Sequence, residues 1–179
     1  CRKLFQSLIP ENNEPWAEVP EASEKDVDKA VKAAQKAFEG TWPKLFPKER
    51  AKYLKAIAEQ LRENAEHLGK IETIDTGKLF KETKTQANYI AEYYDYYAGL
   101  ADKVEGTVLP IDKANMQVIT TRVPIGVVAA IIPWNSQMLL TAVKLAPALA
   151  MGNTIVIKSS ELAPATLFEF AKLIQKTGI

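Results

Sequence analysis

The sequence predicts an α/β fold: part of a doubly wound, Rossmann-like parallel sheet preceded by an amino-terminal helical region. Three observations predict it. Apolar residues recur with a helical period of about 3.6 from Ser23 to Lys103. After Val104 the pattern becomes extended and rich in β-branched residues. The last part then reads strand, helix, strand, helix, with the two apolar strands ~26 residues apart, a spacing that suits a right-handed crossover between parallel neighbours.

Each element follows from its residues. "SEKDVDKAVKAAQKAFEG" opens with Ser23 and Asp26 at capping-box spacing, repeats apolar residues at Val27, Ala30, Val31, Ala34 and Phe38, and stops at Gly40. "FPKERAKYLKAIAEQLRENAEHLGKIETIDTGK" places Pro47 in the first turn and carries Leu54, Ile57, Ala58, Leu61, Leu68, Ile71 and Ile74, which reads as two helices ending at Gly77. "ETKTQANYIAEYYDYYAGLADK" is a further helix. Its Tyr93, Tyr94, Tyr96 and Tyr97 have no basic residues interleaved, so they are read as packing residues rather than a base-stacking surface. "MQVITTRVP" is a β-branched strand, and "GVVAAII" is a continuous apolar run of the kind buried on both faces of a parallel sheet. "QMLLTAVKLAPALAMG" is a helix apolar on nearly all sides and closing at Gly152. "TIVIK" is the second buried strand, and "APATLFEFAKLIQKTG" the last helix, with Gly178 as its stop.

Composition narrows the function classes. A length of 179 residues accommodates one domain, or one domain and part of another. Hydrophobic residues at 47% and charged residues at 25% describe a globular chain with a sizeable core. Lys+Arg 23 against Asp+Glu 22 leaves a net charge of +1, without the basic footprint that nucleic acid or an anionic membrane demands. No run reaches the ~20 apolar residues of a membrane span, because Lys144 divides the longest one. One Cys permits no intrachain disulfide, and one His leaves too few soft ligands for a zinc site, so no metal is expected and a reducing, cytoplasmic compartment fits best. The chain begins "CRKLFQSLIP", without Met or a signal-peptide pattern, which reads as a trimmed fragment. Cys1 is read as incidental rather than as a lipidated residue or a redox nucleophile.

Two polar clusters punctuate the apolar carboxyl-terminal part. In an open parallel sheet, ligands sit beyond the carboxyl ends of the strands. Pro133-Trp134-Asn135 follows the first strand and "KSSE", Lys158 to Glu161, follows the second, so both fall on one sheet edge. The Asn135 carboxamide donates a hydrogen bond without changing charge, as an oxyanion site requires; it equally suits a helix N-cap, and spacing by itself favours the cap. Lys158 and Glu161 read either as an exposed ion pair at a helix start, with Ser159 or Ser160 as cap, or as an ammonium and a carboxylate around a nucleotide ribose. Spacing again favours the former, and no G-x-G-x-x-G phosphate loop is present.

"VPIGVVAAIIPWNSQMLLTAVKLAPALAMGNTIVIKSSELAPA" strongly resembles the segment of the NAD(P)-dependent aldehyde dehydrogenase superfamily that runs through its "PWN" and "KPSE" motifs. "AEVPEASEKDVDKAVKAAQKAF", "ETIDTGK" and "YYAGLADKVEG" resemble the family's amino-terminal helices, in the family's order. The resemblance covers essentially the whole chain. It implies an aldehyde dehydrogenase-like fold in which residues 1–103 are the amino-terminal helical part of the cofactor-binding domain, 104–123 a strand of the oligomerisation arm, and 124–179 the first βαβα of the dinucleotide-binding sheet.

Residue by residue, the resemblance gives Asn135 the oxyanion-hole role and places Ile131, Ile132, Pro133 and Trp134 along the cofactor. Lys158, Ser160 and Glu161 match residues around its adenosine ribose, and Lys144 matches a family Lys in the intervening helix, as a weaker catalytic candidate. Glu161 implies NAD rather than NADP, since a carboxylate accepts from the 2′-hydroxyl and repels a 2′-phosphate. Ser136 stands where many members carry an aromatic residue lining the aldehyde tunnel, which implies a wider or more polar tunnel, and Ser159 replaces the "KPSE" proline. The implied partners are a small aldehyde substrate and, for the intact protein, further copies of itself in a homodimer or homotetramer, because "ANMQVITTRVP" resembles part of the arm. The family's nucleophilic Cys and general-base Glu match no residue here, and Cys1 matches neither. The 179-residue chain is therefore expected to be inactive by itself. A non-catalytic scaffold or binding module derived from a truncated dehydrogenase is the alternative.

Overall fold

The computed structural model describes residues 3–179, so Cys1 lies outside the described residues. The chain is mixed α and β. A hairpin of β1 (Leu4–Leu8) and β2 (Pro15–Pro20) precedes four helices, α1 (Glu24–Glu39), α2 (Pro47–Glu63), α3 (Ala65–Thr76) and α4 (Phe80–Leu100). A two-residue ladder follows, β3 (Val108–Leu109) with β4 (Val118–Ile119). Then come β5 (Val127–Ile131), α5 (Gln137–Ala150), β6 (Thr154–Lys158) and α6 (Ala165–Lys176). β5 and β6 are parallel, from Val127 opposite Thr154 to Ile131 opposite Lys158. No helix among the described residues is long and apolar enough to cross a membrane.

The helix ends sit where their local chemistry places them. The Asp26 carboxylate accepts from the Ser23 backbone N–H at 3.1 Å, and the Glu49 carboxylate accepts from the Phe46 N–H at 2.8 Å ahead of Pro47. Gly77 ends α3 in the left-handed region, φ 75°, where a Cβ is strained.

α4 is the central post. It packs against α2, α3 and α5, and one continuous core joins Leu54, Ile57 and Leu61 of α2, Ile90 and Tyr94 of α4, Ala142 and Ala146 of α5, and Phe170 of α6. Burying each of the large apolar side chains stabilises by about 1.5–3 kcal/mol. α3 approaches α4 closely at Gly69, where a Cβ would lie 2.9 Å from the Lys84 backbone, so the two helices seat together only with glycine there.

Three expectations need correction, and a fourth holds for three tyrosines of four. The β1–β2 hairpin lies in a region expected to be helical; its best-buried positions are Ser7 and Val19, so it lacks the apolar alternation that announces a strand. "MQVITTRVP" forms only two residues of ladder, and Val123 is 75% exposed, because its β-branched residues find no second sheet to cover them. The β5 run is buried at Ala130 but exposed at Ile131, so it is not covered on both faces in a sheet of two strands. Of the four tyrosines, Tyr94 is fully buried with its ring centroid 6.3 Å from that of Phe170, Tyr93 and Tyr97 are half-buried, and Tyr96 faces outward.

Candidate active-site edge

The parallel register decides where the polar clusters fall. Ile131 lies opposite Lys158, and the Ile132 N–H donates to the Lys158 carbonyl at 2.9 Å. The chain then leaves both strands side by side, as Pro133-Trp134-Asn135 on one and Ser159-Ser160-Glu161 on the other. Pro133 has extended geometry, φ −75° and ψ 169°, and ends the strand; one 3-10 turn, Trp134–Ser136, leads directly into α5.

Most of the residues singled out in the sequence are presented at this edge. Ile131 is 75% exposed and Trp134 53%, an apolar surface beside Pro133, whereas the Ile132 side chain sits in the core and reaches a ligand only through its backbone. Asn135 is exposed, and its carboxamide makes no hydrogen bond among the described residues. The Lys158 ammonium meets the Glu161 carboxylate at 2.8 Å, both exposed, and that bond holds the Glu161 carboxyl below the usual range. Ser160 is buried, and its hydroxyl oxygen accepts from the Leu162 N–H at 3.2 Å, shaping the turn. Lys144 stands apart from this edge, two turns into α5, donating to the Leu140 carbonyl at 3.2 Å.

Neither of the capping roles that spacing favours is realised. Asn135 does not cap α5. Nearby, Glu72 of α3 is fully buried, and its Oε2 has no hydrogen-bond partner among the described residues. Ser159 and Ser160 do not cap α6, which begins at Ala165; there the Ala165 N–H donates to Asp75 at 2.7 Å.

The sequence missed these two carboxylates. The buried face of α3 runs Leu68, Gly69, Glu72 and Asp75, whereas Ile74 is 39% exposed. Helical spacing from Leu68 to Asp75 was the available signal, masked because charged residues are expected on the wet face. The Glu72 carboxylate is paired with the Lys78 ammonium at 3.4 Å, and Lys78 also donates to the Ser136 hydroxyl. The Ser136 hydroxyl is thus engaged by Lys78.

Burial pushes the Glu72 carboxyl upward, against the downward pull of Lys78. The sign for stability follows. Above the ordinary Glu range the unfolded chain has lost this proton while the folded chain still holds it, so the stabilisation is complete at low pH and declines as pH rises through the raised value. Glu72→Gln does not titrate. Its Tm relative to the parent is expected to climb from about pH 4 to about pH 7, as followed by circular dichroism; a constant difference across that window would contradict the shift.

Comparison with known proteins decides the family. The profile of the aldehyde dehydrogenase family matches residues 2–179. The chain belongs to the aldehyde dehydrogenase family.

Among the family's members, the chain is 52% identical over 175 residues to (Z)-2-((N-methylformamido)methylene)-5-hydroxybutyrolactone dehydrogenase of Acinetobacter baylyi, covering 97% of this chain and 36% of that protein. It is 43% identical to betaine aldehyde dehydrogenase of Bacillus subtilis, covering 99% of this chain and 37% of that one. A crystal structure of betaine aldehyde dehydrogenase from Staphylococcus aureus in complex with NAD+ superposes with a TM-score of 0.95 at 34% identity, over 99% of this chain and 36% of that chain. The chain therefore spans little more than a third of these relatives' length. Their shared fold is α/β, with the parallel β5–β6 pair inside the matched region.

Proposed function

We propose that this chain is the amino-terminal, cofactor-binding portion of an enzyme that oxidises an aldehyde to a carboxylic acid with NAD+ as hydride acceptor. The observation that carries the proposal is the Ile131–Lys158 register, which sets "PWN" and "KSSE" beside one another at the carboxyl ends of two parallel strands. Residues 1–103 and 124–179 form the cofactor-binding part in this reading, and 104–123 belong to an arm through which intact copies assemble as a dimer or tetramer.

The residues fit a dinucleotide. Exposed Ile131, Pro133 and Trp134 offer an apolar wall at the strand end, and Lys158 with Glu161 offers a charged pair at the neighbouring one. Glu161 accepts from ribose hydroxyls, which favours NAD over NADP; its low-lying carboxyl stays ionised for that task. Ser160 shapes the turn that presents Glu161. Bound there, the nicotinamide supplies the hydride-accepting chemistry.

Asn135 is the group of this chain assigned to the reacting centre. Its amide N–H donates toward the oxygen that gains negative charge when a nucleophile attacks the aldehyde carbonyl. It needs no reorganisation, since no intramolecular hydrogen bond among the described residues must first be broken. Lys144, half-buried and bonded to its own helix, is assigned a lesser, supporting part. Attack itself requires a nucleophilic thiolate and a base, neither of which matches a residue here.

Aldehyde-dependent NADH formation, followed by absorbance, tests this for the 179-residue chain and for the gene product extended to its natural end. The panel includes betaine aldehyde and the 5-hydroxybutyrolactone that the Acinetobacter relative is named for. Turnover only in the longer chain is expected. Turnover in the short chain would overturn the assignment of the nucleophile, and silence in both would favour a binding or scaffold role.

A further inference from the structure

The segment that carries Asn135 is held from outside by α3. Glu72, a side chain of α3 with no exposed surface, has one carboxylate oxygen, Oε2, without a hydrogen-bond partner among the described residues. The same carboxylate pairs with Lys78 at 3.4 Å, and the Lys78 ammonium donates in turn to the Ser136 hydroxyl. Lys78 therefore links the buried Glu72 carboxylate to Ser136, the residue that follows Asn135. No side chain of the turn caps α5 among the described residues, so the turn has no local cap to hold it.

We propose that Glu72 and Lys78 are positioning residues for the oxyanion donor, clamping the Trp134–Met138 turn to α3 so that Asn135 is held out over the strand ends. The proposal rests on the aldehyde-oxidising reading of the site. Three physical points carry it. α3 is a stiff anchor, because Gly69 lets it seat against the α4 backbone at contact distance. Lys78 ties Ser136 to a carboxylate of that helix that has no exposed surface. An aromatic side chain at position 136 would offer Lys78 no acceptor, so Ser136 and Lys78 act as a matched pair, and the hydroxyl serves to hold the backbone.

Lys78→Met removes the ammonium and leaves Glu72 buried without a counter-charge, which releases Ser136 from α3. Displacing a reacting group by about 1 Å costs on the order of 10²-fold in rate. In the full-length enzyme, Lys78→Met is therefore expected to lower kcat by about 10- to 100-fold with KM for NAD unchanged, since the Lys158–Glu161 side of the site is untouched. A double-mutant cycle with Asn135→Ala separates positioning from general damage. Once Asn135 is gone, Lys78→Met should cost nothing further. Losses that multiply, or an unchanged kcat in Lys78→Met, would overturn the proposal.

Amide hydrogen exchange supplies a readout independent of turnover. In Lys78→Met the amides of residues 135–138 should exchange at least about tenfold faster, while those of β6 stay protected. Unchanged exchange at residues 135–138 would overturn the clamp. A parent enzyme that turns over no aldehyde would sink the functional reading, and the exchange result would still decide the clamp.

Discussion

Asn135→Ala in the full-length enzyme is expected to lower kcat by about 10²–10³-fold, the usual consequence of deleting one preorganised oxyanion donor. The expectation stands on position and on what the side chain does not do. Asn135 sits in the 3-10 turn at the end of β5, exposed, and its carboxamide makes no bond among the described residues. A helix cap would be occupied and would serve stability, whereas no side chain caps α5 among the described residues. The substitution should therefore leave Tm nearly unchanged while turnover collapses. KM for NAD should move little, because the interaction is made with charge that develops only in the transition state. Because a carboxamide does not titrate, the loss should be the same at every pH. Steady-state kinetics beside a melting curve check this; a large fall in Tm with a modest loss of kcat would return Asn135 to a structural role.

Asp75→Ala is expected to destabilise the chain by about 3–5 kcal/mol, a fall in Tm of roughly 10 °C for a chain of this size. Asp75 is 1% exposed and joins three otherwise separate parts of the fold. It accepts from the Ser7 hydroxyl of β1 at 2.7 Å, from the Trp16 indole N–H of β2 at 3.2 Å, and from the Ala165 N–H at the start of α6 at 2.7 Å. Removing it leaves three buried or half-buried donors unpaired, each costing about 1–3 kcal/mol. Burial pushes its carboxyl upward, and these donors pull it back. Asp75→Asn keeps an acceptor oxygen and should lose distinctly less. Thermal unfolding by circular dichroism measures both, and equal losses would show that acceptance by the side chain is not what holds the hairpin and α6 in place.

The helices were legible because their signals are local. The Ser23–Asp26 box, Pro47 in a first turn and Gly77 at a stop each act within four residues, and the structure places α1, α2 and α3 at those marks. The β5–α5–β6 unit was legible for a related reason: two apolar runs flanking an all-round apolar helix admit few other arrangements. The strand at "MQVITTRVP" was over-read because β-propensity depends on a partner sheet, and here the partner is two residues long. The β1–β2 hairpin was not seen, since its buried face carries Ser7, whose reason for burial is Asp75, sixty-eight positions away.

Helix ends, the family resemblance and the residue types available at the strand ends are written in neighbouring residues, as caps, periodicity and motifs. Only the tertiary structure decided which groups meet. It set Ile131 against Lys158, brought Lys78, just beyond α3, to both Glu72 and Ser136, and left Asn135 unengaged. The physical reason is that burying a carboxylate is costly unless distant donors converge on it, and that convergence exists only once α3, α5 and α6 have packed.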